Sequence, residues 1–176
     1  MVVIITGASH TGKTLLAQRL LEKYKYTYFS IDHLKMGLIR SRKTDLTPEE
    51  DNKLTNYLWP IIREIIKTVI ENCQNLIVEG GYVPFNYKKS FDRNYLSSIK
   101  FICLAMTEKY IKNHFDDILK HESEIESRLI SSDCTINSLK LENDQFIRGF
   151  RQNGESVTLI EDNYEDSMKK ILDLSF

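Results

Sequence analysis

The chain is poor in the residues and runs that mark disordered, cross-linked or membrane proteins. Three prolines and seven glycines in 176 residues leave long stretches free for regular structure, and no Pro/Gly/Ser tract or repeat marks a linker or an array. Cysteine is scarce: Cys73, Cys103 and Cys134 are odd in number, widely spaced and lack a C-x-x-C pair. That pattern excludes a disulfide framework and a zinc ribbon, and it leaves Cys73 and Cys103 as expected small core residues. Long apolar runs are missing too. Val2-Val3-Ile4-Ile5 is short and leads straight into a glycine-bearing loop, so neither a membrane span nor a signal peptide is expected there. Neither sign of charge dominates, with 24 basic and 25 acidic side chains and a formal net charge of -1. Without a basic run to grip a phosphate backbone, nucleic acid is not an expected partner. A reducing, cytoplasmic setting fits this cysteine usage.

What is present is globular. Hydrophobic residues at 41% and charged residues at 28% suit one compact domain at this length. Behind the first apolar run stands Gly7-Ala8-Ser9-His10-Thr11-Gly12-Lys13-Thr14, a complete G-x-x-x-x-G-K-[ST] sequence in the required setting of a strand before and a helix after. Its glycines let the backbone close into a nest whose amides converge on phosphates, and the following helix adds the positive end of its dipole. Leu15, Leu16, Leu20 and Leu21 give that helix, expected over 13–23, its apolar face. The expected ligand is a nucleoside triphosphate touching Gly7, Ala8, Ser9, His10, Thr11, Gly12, Lys13, Thr14 and Leu15. Lys13 would reach the β and γ phosphates, and the Thr14 hydroxyl would bind magnesium.

Further apolar runs follow: Tyr26 to Ile31, Leu76-Ile77-Val78, Phe101 to Ala105 and Val157 to Ile160. They alternate with helical stretches, the pattern of a doubly wound, five-stranded parallel sheet covered on both faces. Between the second and third strands, Thr47-Pro48-Glu49-Glu50 reads as a helix start, and Leu54, Leu58, Ile61, Ile62, Ile65 and Val69 follow at helical spacing. Pro60 should kink or divide that helix. Later helices are expected from Glu108 to about Leu129 and from about Ser138 to Arg151.

In such a fold ligands sit beyond the carboxyl ends of the strands. Asp32 ends the second strand and Glu79 the third, so both should meet the phosphate loop at one edge. Asp32 is placed to orient an acceptor hydroxyl, and it is also a residue type that caps helices. Glu79 could hold magnesium through water or simply close a turn. Tyr82 could flank a substrate, although aromatics in such a segment also serve as core. Arg40, Arg42 and Lys43 follow a short helix over 33–39 and suggest an anionic second substrate, or a complement to the helix dipole. Arg128 is the favoured cation of a closing segment.

These residues carry a resemblance to the small P-loop kinases of the nucleoside-monophosphate-kinase-like group over nearly the whole chain. Leu76 to Gly80 looks like the metal-side acidic strand of uridine kinases and 2-phosphoglycerate kinases, and Glu79-Gly80-Gly81-Tyr82-Val83-Pro84 is similar to the glutamate-glycine segment of the latter. Adenylate kinases proper carry proline in the phosphate loop, where this chain has Ser9-His10, and the guanine-reading motif of GTPases is replaced by Ala105-Met106-Thr107-Glu108. The resemblance implies a P-loop NTPase domain over 1–176 with an acceptor-binding insertion at about 33–74 and a lid at about 108–131. It implies ATP and magnesium as cofactors, Gly80 and Tyr82 beside the acceptor, arginine from the lid, and transfer to a small hydroxyl or phosphate acceptor. Two alternatives stay open: an ATP-binding regulatory switch without an acceptor, and a nucleotide-sugar kinase of the zeta-toxin kind.

Overall fold

The computed structural model describes residues 1–120 and 134–173. Five strands, β1 (Val2–Gly7), β2 (Thr27–Ser30), β3 (Leu76–Glu79), β4 (Ile99–Met106) and β5 (Thr158–Ile160), form one sheet in the order β2-β3-β1-β4-β5. Every pairing is parallel, and β1 lies at the centre with Ile4 between Val78 and Phe101. A strand buried on both faces must be apolar throughout, and all six residues of β1 are buried.

The alternation of side chains along β1 divides the interior in two. Val2 and Ile4 face Leu54, Leu58, Ile62 and Ile66, the buried stripe of α3 (Asp51–Glu71), with Ile31 of α2 (Ile31–Arg40) beside them. Val3 and Ile5 face Leu16, Ala17 and Leu20 of α1 (Lys13–Tyr24) and Ile111 of α5 (Glu108–Lys120). A short α4 (Arg93–Leu96) leads into β4, and α6 (Ile136–Gln152) and α7 (Tyr164–Leu172) complete the cover. Each of these fully buried aliphatic side chains stabilises the fold by about 1.5–3 kcal/mol relative to exposure.

The position of α6 is fixed by one polar residue. Asn143 is 1% exposed; its Oδ1 accepts from the Met106 amide at 2.6 Å, and its Nδ2 donates to the Leu139 carbonyl at 2.7 Å. The end of β4 and the helix are thereby tied together, because separating them would strand a buried amide.

Several expectations are corrected. The first turn of α3 begins at Asp51, after a turn in which Glu50 accepts from the Thr47 amide at 2.9 Å. Pro60 does not divide α3. Its missing N–H falls on the exposed side of the helix, where the Asn56 carbonyl can be solvated, and the stripe on the other side stays intact. Cys103 is buried as expected, but Cys73 is exposed, in a left-handed conformation with φ 53° just past the end of α3. The sequence reading passed over α7, whose start is capped by the Asn163 side chain accepting from the Asp166 amide. Helix α5 is described from Glu108 to Lys120, the first half of the expected lid, and residues 121–131 of that lid lie outside the described residues.

Candidate active site

The loop between β1 and α1 is shaped by two glycines and a tight set of internal bonds. Gly7 has φ 144°, and a Cβ there would stand 2.1 Å from the Leu104 carbonyl oxygen of the neighbouring strand. Gly12 has φ 76°, and its Cβ would fall 1.8 Å from the Tyr164 hydroxyl. Neither position admits a side chain without rearrangement. Thr11 Oγ1 and Lys13 Nζ both donate to the Ala8 carbonyl at 2.7 Å, so the lysine arches back over the loop.

Ser9 of the loop already holds an anionic side chain. The Ser9 amide and the Ser9 hydroxyl each donate to Glu142 Oε1 at 2.9 Å. A carboxylate of the chain itself thus rests on donors that the motif directs toward phosphate oxygens. The donor chemistry and the glycine-restricted backbone fit a polyphosphate.

At the end of β2, Ser30 caps α2 by accepting from the His33 amide. Asp32, in the first turn, is therefore free of capping. It pairs instead with Lys35 at 2.8 Å, and the two side chains are 30% and 12% exposed. Lys35 Nζ also donates to Tyr82 Oη at 2.8 Å, and that hydroxyl donates to Asp51 Oδ1 at 3.0 Å. The chain Asp32–Lys35–Tyr82–Asp51 links α2, the exit of β3 and the start of α3. Burial pulls the Lys35 ammonium down, yet the bonds to Asp32 and Tyr82 outweigh it and leave the group above its ordinary range. Burial pushes the Tyr82 phenol up to about 12, against the pull of Lys35 and with the help of Asp51 and Asp32.

Glu79 closes β3 between Ile5 and Ser30 of the adjacent strands. It is 2% exposed and accepts from the Tyr28 hydroxyl at 3.1 Å. Gly80 follows with φ 155°, where a Cβ would meet that of Ile31 at 2.7 Å, so glycine lets the chain leave the sheet against α2.

A cavity of about 930 Å³ opens between these elements. Gly7, Ser9 and Lys13 of the loop, Asp32 and Lys35 of α2, and Asp51 of α3 line it. Tyr82, Lys89 and Glu142 line it as well, with the neutral polar face Asn52, Thr55 and Asn56 of α3. The structure thus brings Gly7, Ser9, Lys13, Asp32 and Tyr82 to one cavity. Thr14, Glu79 and Gly80 are not on its wall, nor are Arg40 and Arg42; Arg128 lies outside the described residues. Among the described residues the cations on the wall are Lys13, Lys35 and Lys89. The sequence reading missed Lys35, Asp51, Lys89 and Glu142. Only Lys35 left a local trace, one helical turn beyond Asp32. Among the described residues no three His, Cys, Asp or Glu side chains form a group that could hold a metal ion by themselves, and no helix is long and apolar enough to cross a membrane.

Sheet order, phosphate loop and helical cover give an α/β fold of the P-loop NTPase type. Comparison with solved structures places the fold among the small P-loop kinases. A deoxyadenosine kinase from M. mycoides superposes with a TM-score of 0.57 at 16% identity, over 98% of this chain and 97% of that one. Shikimate kinase from Aquifex aeolicus gives 0.53 at 14% identity, covering 98% and 94%. A gluconokinase from Sinorhizobium meliloti gives 0.52 at 10% identity, covering 97% and 88%. No family model matches the chain, and no curated protein matches it.

Proposed function

We propose that this protein is an ATP-dependent phosphotransferase acting on a small acceptor that enters the cavity beside the phosphate loop. The observation that carries this reading is that Lys13 and Asp32, a phosphate cation and an acceptor-facing carboxylate, line the same cavity. ATP with magnesium would supply the γ-phosphoryl group and spread its charge. The amides of the loop and Lys13 hold the polyphosphate, while Thr14 and Glu79 stand on the magnesium side. Asp32 accepts a hydrogen bond from the acceptor hydroxyl and orients it. Lys35, clamped between Asp32 and Tyr82, fixes that carboxylate in place. An anionic acceptor would meet Lys89 at the cavity wall.

The structural likeness to a deoxyadenosine kinase, shikimate kinase and gluconokinase supports the reaction class and leaves several acceptor chemistries to be separated by experiment. The test is a phosphotransfer screen with labelled ATP and magnesium against nucleosides, nucleoside monophosphates, sugar acids and phosphoglycerates. Label should pass to one of these classes and be lost in Lys13→Ala. ATP binding without transfer to any class would favour a nucleotide-controlled switch instead.

A further inference from the structure

Glu142 contributes to the donor site from an element that the phosphate-loop motif does not specify. Its Oε1 receives both the amide and the hydroxyl of Ser9 at 2.9 Å. The carboxylate does not swing on an unanchored surface helix. Its neighbour Asn143, buried and bonded to Met106 and Leu139, locks α6 against the end of β4 at that level. The half-buried Glu142 is thus presented to the loop by the fold, and it lines the cavity together with Ser9 and Lys13.

We propose that Glu142 is an affinity-determining residue of the donor site, an internal anion that holds the Ser9 donors until a polyphosphate displaces it. This inference rests on the reading of the loop as a nucleotide site. The physical argument is one of exchange. Hydrogen bonds from a neutral donor to a charged oxygen are stronger than neutral pairs, and a phosphate oxygen can take the Ser9 amide only after the carboxylate has released it. The ligand therefore gains the difference between two charge-assisted bonds rather than a whole one. A carboxylate that stays close to bound phosphates adds repulsion between like charges. Both effects lower affinity: Glu142→Gln removes the repulsion and leaves a weaker acceptor to displace, and Glu142→Ala removes both. The opposing possibility is that Glu142 braces the loop in its binding shape; the two roles differ in sign.

The experiment is calorimetric titration of ATP, and separately of inorganic pyrophosphate, into the wild type, Glu142→Gln, Glu142→Ala and Lys13→Ala, without acceptor. Glutamine and alanine are good helix formers, so α6 should persist, and thermal melts check this. Both Glu142 variants are expected to bind both ligands about five- to tenfold more tightly than the wild type, on the scale of one net hydrogen bond. Unchanged or weaker binding in the folded Glu142 variants would overturn the inference. If Lys13→Ala weakens binding while the Glu142 variants do not change it, the nucleotide-site reading stands and this inference alone fails. If the wild type binds neither ligand, both fail.

Discussion

Ser30, not Asp32, caps α2, and this division of labour gives Asp32 its chemical freedom. Asp32→Asn should leave helix and ATP affinity nearly unchanged while kcat falls by roughly 10² or more, the scale of a lost general base. Steady-state kinetics beside ATP titration would check it, and an unaltered kcat would mark Asp32 as a structural partner of Lys35. At Gly7 the constraint is steric, because the atom in the way is backbone and cannot step aside. Gly7→Ala should lower stability by on the order of 1–3 kcal/mol, measured by denaturant melts without nucleotide. Residues with a fixed chemical reason for their place were legible in the sequence. The phosphate loop announces itself by spacing and Glu79 by ending an apolar run, whereas Asp32, expected at the end of the second strand, stands in the first turn of α2 because β2 stops at Ser30. Asp51 and Glu142 were not legible, since each is brought to the site by the packing of a helix whose orientation no local pattern encodes.

The elements around the cavity are joined by a relay of polar contacts in which Tyr82 is the central member. Removing its hydroxyl in Tyr82→Phe takes one hydrogen-bond partner from Asp51 and one from Lys35, which keeps Asp32; this should reduce stability by about 1 kcal/mol and raise the acceptor KM more than the ATP Kd. The sign of the pH effect follows from the phenol being pushed up to about 12 from an ordinary value near 10. A raised folded value means that its contribution is complete below about pH 10 and is lost as pH climbs toward 12. Chemical denaturation across that window should show a steeper fall for the wild type than for Tyr82→Phe. Equal slopes would disconnect the phenol from stability. At this scale the sequence was read well where apolar periodicity ruled. Of the stripe expected on α3, Leu54, Leu58 and Ile62 are buried, Ile65 and Val69 are half-buried and Ile61 is exposed; Pro60 misled because packing of the apolar face outweighs one missing hydrogen bond on the exposed face.

Across the whole molecule, the central strand carries the phosphate loop at its end and both hydrophobic cores on its flanks. Binding at the loop is thus coupled to the most deeply buried part of the fold. A ligand at about 100 times its Kd stabilises the folded state by about 2.7 kcal/mol, which for a domain of this size corresponds to a Tm rise of about 5–10 °C. ATP with magnesium should produce such a shift, and a thermal scan would read it. The five-stranded parallel sheet and its two-faced cover were legible because continuous apolar runs alternating with helices admit few other arrangements. The walls of the acceptor cavity were not, because they are assembled from three helices and a turn distant in sequence.

The most direct test of the account is calorimetric titration of ATP into the wild type and Lys13→Ala. Saturable binding by the wild type, weakened at least about tenfold in the folded variant, a loss of some 1.4 kcal/mol, is the expected result. Equal affinity in the two proteins, or no binding by the wild type, would contradict it.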